Sequence, residues 1–177
     1  MKLKLILTAT VLGLSSLYVW AGEPIQLSLT PDIALQSRST EIDGFSLNIW
    51  GENPQCGLTL GFINGSTGES AGFTAGLVNY NETYDGIQWG LVNTSQDEFI
   101  GWQCGVVNIA NGTFEGFQSG VVNLSQQTAD LQLGLVNYSQ ELNGVQIGLV
   151  NIAANNPSFT EFPDKLATGF PIVNWSF

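Results

Sequence analysis

Apolar and polar residues alternate with period two through most of the chain, and the alternating blocks recur. Aligned on Gly-Leu/Val-Val-Asn, they read GLTLGFIN ending at Asn64, GFTAGLVN at Asn79, GIQWGLVN at Asn93, GWQCGVVN at Asn108, GFQSGVVN at Asn123, DLQLGLVN at Asn137 and GVQIGLVN at Asn151. Successive asparagines lie 14 or 15 residues apart. A degenerate unit, GFSLNIWG, begins at Gly44, and the chain closes on GFPIVNWSF. Within a block the bulky apolar residues take the second, fourth and sixth places, as Ile87, Trp89 and Leu91 do. Glycine, an amide or threonine, and valine take the places between. That alternation predicts a β-strand with one bulky and one small or amide face, and the regular return predicts an array of one supersecondary unit. No helical pattern of comparable strength follows the first 21 residues.

Between the blocks run YNETYD, TSQDEFI, IANGTFE, LSQQTA and YSQELN, each a few turn-forming residues between apolar ones. An all-β fold follows, in one of two arrangements. Each unit is one strand of an antiparallel up-and-down β-meander that closes into a barrel, or one coil of a parallel β-solenoid whose Asn and Gln stack as ladders. The barrel is the leading expectation. A 14-residue coil has a thin interior, and a solenoid with its bulky face inward would have to house Phe73, Trp89, Trp102 and Phe117. The polar eleventh place of each unit would also tend to point inward. In favour of the solenoid, the unit repeats singly and not in hairpin pairs.

About eleven extended residues at about 3.3 Å each, tilted by about 45°, span about 26 Å, close to the apolar band of an outer-membrane barrel. The bulky face would then meet lipid, and Gln88, Gln103, Gln118, Gln132 and Gln146 would form an inward polar row. Tyr80, Tyr84, Phe99, Phe114 and Tyr138, near the turns, would be interface girdles. Trp175 and Phe177 fit the aromatic end of a closing strand, which barrel-assembly machinery reads.

The repeated Asn64, Asn79, Asn93, Asn108, Asn123, Asn137 and Asn151, with the fifth-place Gly61, Gly76, Gly90, Gly105, Gly120, Gly134 and Gly148, are structural repeat residues on this reading. Asn closes the strand and bonds the turn, since it tolerates turn geometry. The glutamines satisfy one another as an amide ladder. The Asn-x-Ser/Thr matches at Asn64, Asn93, Asn123 and Asn137 are by-products of a Ser-rich turn following Asn.

The N-terminus changes the picture by adding a destination. Lys2 and Lys4, an apolar run, then Val19 and Ala21 form a signal peptide expected to be cut after Ala21. The run is short of the about 20 residues a membrane span needs. The organisation expected is therefore a signal peptide at 1–21, a lead-in at 22–43, the β-repeat array at 44–151, and a cap with closing strand at 152–177.

Charge and residue types then remove function classes. Beyond the leader the only basic residues are Arg38 and Lys165, against fifteen Asp and Glu, which argues against nucleic acid and anionic surfaces as partners. The absence of His removes the commonest general base and zinc ligand. Cys56 and Cys104 stand three units apart, about 14 Å at strand spacing, so no disulfide between them is expected. The acids Glu82, Asp85, Asp97 and Glu98 sit in turns without the spacing of a calcium loop or a glycosidase pair. No catalytic residue, metal site or cofactor is expected.

Tandem G-x-Q-x-G-L/V-V-N units behind a leader, closed by FPIVNWSF, resemble the bacterial surface-repeat family known from leptospiral and related proteins. The resemblance covers about Gly44 to Phe177, with Thr59 and Thr74 in place of Gln and Asp130 in place of Gly. It implies export to the cell envelope, outer membrane or cell surface, with a structural or interaction role and no enzymatic activity. The partners it leaves open are outer-membrane lipid and an unknown protein or surface, with a secreted solenoid binding or adhesion module as the alternative.

Overall fold

A turn of chain takes 14 or 15 residues and then lies directly on the turn before it. The computed structural model describes residues 22–177, and the expected leader lies outside them. Its strands are β1 (Glu23–Thr30), β2 (Ile33–Ala34), β3 (Ile42–Asn53), β4 (Gln55–Ala75), β5 (Val78–Ser119), β6 (Val122–Leu133), β7 (Val136–Ala153) and β8 (Gly169–Ser176). They form one sheet in the order β2-β1-β3-β4-β5-β6-β7-β8. From β1 through β3 to β7 every pairing is parallel, with equivalent repeat residues in register: Gly44 on Gly57, Phe73 on Ile87, Asn123 on Asn137, Gln132 on Gln146. The chain is a β-solenoid of about eight turns, and β5 alone winds through several of them.

This corrects the leading expectation of an antiparallel meander or barrel. The objection to the solenoid assumed that bulky residues must lie inside. Instead Trp89, Leu91, Leu133 and Leu135 are exposed, while Gln88, Asn93, Gln132 and Asn137 are wholly buried. A thin coil can hold amides, small residues and one column of rings, so the bulk is turned outward. The polar eleventh place does not point inward either, since Gln96, Asn111, Gln126 and Gln140 are exposed at the turn. The girdle reading fails for Tyr84, Phe99 and Phe114, which stack inside with ring centroids 5.7 and 5.5 Å apart. Tyr80 and Tyr138 remain half-buried.

Coils of 15 residues carry their extra residue at the polar turn. The register slips between Ser66 and Glu69, and again between Ala110 and Thr113, where each coil meets a 14-residue successor. Gly68 adopts a φ of +60° at the first slip. Confining the slip to a bulge leaves the buried Gln and Asn rows in register above and below it.

The ends differ from the middle. Glu23–Thr30, read from sequence as a lead-in, stacks in parallel on β3 and so belongs to the coil stack. At the other end β8 pairs antiparallel with β7. Residues before it double back over its outer edge, where Leu166 N–H donates to Trp175 and Phe177 N–H donates to the Asp164 carbonyl. The two basic residues serve these ends: Arg38 pairs with Glu52 at 3.2 Å and Lys165 with Glu161 at 3.1 Å.

The first residue of each block turns the chain with positive φ, as at Gly86 (+143°), Gly101 (+128°) and Gly116 (+123°). A Cβ on Gly116 would stand 2.1 Å from the Gly101 carbonyl oxygen. Asp130 occupies the same place at φ +93°. Asp130→Gly is therefore expected to stabilise the fold by about 1 kcal/mol, and Gly101→Ala to destabilise it by more than about 2 kcal/mol. Urea unfolding of the two variants, followed by circular dichroism, measures both.

Candidate interaction surface

Four inward places recur in each coil, at the third, eighth, tenth and about the fourteenth residues. The third carries Gln88, Gln103, Gln118, Gln132 and Gln146, all buried. Each glutamine from Gln103 onward donates from Nε2 to the Oε1 of the one before it, at 3.1, 2.9, 2.7 and 2.8 Å. Gln88 ends the series by donating to Asn81 Oδ1 at 2.7 Å.

The eighth place carries the asparagines, and their ladder runs the opposite way. From Asn64 onward each Nδ2 donates to the Oδ1 of the following asparagine at 2.8 or 2.9 Å, ending at Asn151. The second Nδ2 hydrogen goes to the carbonyl just before the next coil's glycine: Asn64 to Ala75, Asn93 to Cys104, Asn108 to Ser119. This bond explains both repeat letters. A Cβ on Gly76, Gly90 or Gly120 would approach the Asn Nδ2 to 2.4, 2.6 or 2.8 Å. Gly61 meets Asn48 and Asn64, and Gly105, Gly134 and Gly148 meet the same row. The asparagine therefore braces a corner from inside, where the sequence alone placed it at a turn.

The two ladders leave acceptors over at their ends. Buried Asn48 Oδ1 and Gln146 Oε1 have no hydrogen-bond partner. They lie at opposite ends of the stack because the ladders run in opposite senses. Near the middle, the aromatic column is closed by Thr74, whose hydroxyl shares a 2.8 Å hydrogen bond with the Tyr84 hydroxyl. Burial pushes the Tyr84 phenol up to about 12. Tyr80 reaches about the same value, through burial first and also through its hydrogen bond to Glu52.

The outside divides by charge. From Gly57 to Asn151, the second to tenth places of every unit carry no Asp, Glu, Lys or Arg. They form two adjoining faces and the corner between them. The corner row is Phe62, Leu77, Leu91, Val106, Val121, Leu135 and Leu149, each from 42% to 66% exposed. The carboxylates stand on the remaining face, where Glu41, Glu69, Asp85 and Glu98 line an open cleft with Cys56. No group of three or more metal-ligating side chains occurs among the described residues.

Sequence reasoning marked the bulky row but not its direction. The two cysteines fall on different surfaces, exposed Cys56 in the acidic cleft and half-buried Cys104 in the bulky row, where Ser119 Oγ lies 3.6 Å from its Sγ. Trp175 is half-buried and donates from Nε1 to the Pro163 carbonyl at 2.9 Å, while Phe177 is exposed. β8 closes the stack as an end strand and joins no barrel seam. No family model, curated protein or solved structure matches the chain.

Removing one rung tests the Asn ladder. Asn108→Ala strips a donor from Asn123, an acceptor from Asn93 and a bond from the Ser119 carbonyl. With buried groups left unpaired, the expected loss is about 2–4 kcal/mol, read by urea unfolding. The tyrosines give a pH test. Their folded pKa values lie above the ordinary 10.0, so their contribution is intact below about pH 10 and is lost as pH rises toward about 12. Stability should fall across that window, and Tyr84→Phe should make the fall shallower, as alkaline melting curves would reveal.

Proposed function

We propose that the protein is an exported β-solenoid of the cell envelope or cell surface, acting as a binding or adhesion module and not as an enzyme. The observation that carries this reading is the charge-free apolar surface, continuous over two faces and a corner of the stack. Monomeric soluble proteins rarely leave apolar patches larger than a few hundred Å² uncovered, and larger ones mark interaction sites. Here the polar side chains that would ordinarily cover a surface are consumed by the interior ladders.

Export rests on the leader pattern of Lys2, Lys4 and the apolar run that ends near Ala21. The resemblance to leptospiral-type surface repeats points to the same compartment. Association with the outer membrane would then be peripheral, by contact of an apolar face with lipid or with a surface protein. A role in nucleic-acid binding is opposed by the net charge of −11.

The test is fractionation, with gel mobility compared before and after boiling. An exported protein released by carbonate, with no heat-dependent shift, is the expected result, and retention with a shifted band would instead establish an integral barrel. A triple variant, Leu77→Thr, Leu91→Thr and Val106→Thr, adds no charge and keeps β propensity at the corner row. It should keep its fold and lose most of its retention on washed envelopes of the producing cells. Undiminished retention would sink the assignment of that row as the contact.

A further inference from the structure

We propose that the face carrying the second and fourth places of each unit pairs with the same face of a second copy, in an isologous dimer. The row at the fourth place is uneven. Along the stack it reads Leu60, Ala75, Trp89, Cys104, Ser119 and Leu133. Trp89 stands 62% exposed beside a dent formed by small, half-buried residues. A two-fold axis along the strand direction, passing between the Trp89 and Cys104 rungs, inverts the order of coils while keeping row on row. It sets Trp89 of each copy over Cys104 of the other, Ala75 over Ser119, and Leu60 over Leu133. The projection of one copy thus fills the depression of its mate twice, which is the self-complementarity that an isologous contact requires.

Spacing and charge agree with a second copy as occupant. Both copies repeat at the same rung distance of about 4.8 Å, so ridges and grooves match along the whole stack. Eight turns at that spacing by about five residues give a projected area of about 600 Å² per copy, or about 1,200 Å² together. Stable interfaces begin near about 1,000 Å². The carboxylates Glu69, Asp85 and Glu98 border a cleft on another face, so two acidic chains can meet here without opposing charges. A bilayer fits less well. Interfacial binders surround their apolar face with Lys and Arg, and the only basic residues beyond the leader, Arg38 and Lys165, are paired at the two ends.

The dimer rests on the reading of the charge-free surface as a binding surface, and its test reads association between copies separately from envelope retention. Light scattering of the purified mature protein at tens of micromolar should give twice the monomer mass. Trp89→Glu should raise the dimer dissociation constant by at least about 30-fold with the β-sheet circular dichroism unchanged. Thr113→Glu, an equal charge added at the polar turn, should leave the dimer intact. In a Cys56→Ser background, a short-arm bismaleimide should join the two copies through Cys104, which the two-fold brings one rung apart across the face. A monomeric wild-type protein overturns the proposal, even if envelope retention persists. So does equal dissociation by Thr113→Glu, capture of monomers on phosphatidylcholine vesicles, or a dimer that Cys104 cannot bridge.

Discussion

Everything in this fold depends on buried side-chain amides finding one another. A coil of 14 or 15 residues encloses too little space for a conventional apolar core, and an unpaired buried amide costs several kcal/mol. Stacking identical coils in register resolves both constraints. Each Asn and Gln meets its own kind one rung away, so a residue type unfavourable in an ordinary interior becomes the repeating bond of this one. The register is thereby strongly specified, since a slip of one residue would separate every amide pair and bring Trp89 or Leu91 inward.

The same bonds explain why glycine is so frequent. At the fifth place the Asn amide occupies the volume of a Cβ, and at the first place the chain turns with positive φ against the carbonyl of the preceding coil. Bulky residues are excluded from the interior by size and gather outside, where their neighbours along a row cover part of each one. Trp102 and Phe117 stack in this way, with centroids 5.6 Å apart. The result is an inverted distribution, with amides within and apolar side chains without. A surface of this kind is stable in water only to the extent that something covers it, which links the interior chemistry to function.

A stack of parallel coils has two open ends, and each is a template for further strands. Here both ends are altered. β1 is backed by the short antiparallel β2, and β8 reverses direction and contains Pro171. Asn174, wholly buried, turns its amide to Ala167 and not into the glutamine row, so the ladder stops at Gln146. Growth at the ends is suppressed while the faces stay open, which directs association to the sides of the stack.

The sequence by itself determined the strands, the repeat length, the in-line rows of Asn, Gln and Gly, and the separation of acids from the block cores. Period two states which residues share a face, and a fixed repeat states which residues are equivalent. Neither states which face is inside, because the same alternation serves a barrel with lipid outside and a coil with solvent outside. The buried column of Tyr84, Phe99 and Phe114 was misplaced for that reason: near the turns, apolar residues look alike whether they face a membrane or an interior. Only the tertiary structure decided parallel over antiparallel. The choice lies in the long-range pairing of Asn with Asn and Gln with Gln, and a hydrogen bond between coils leaves no trace in local periodicity.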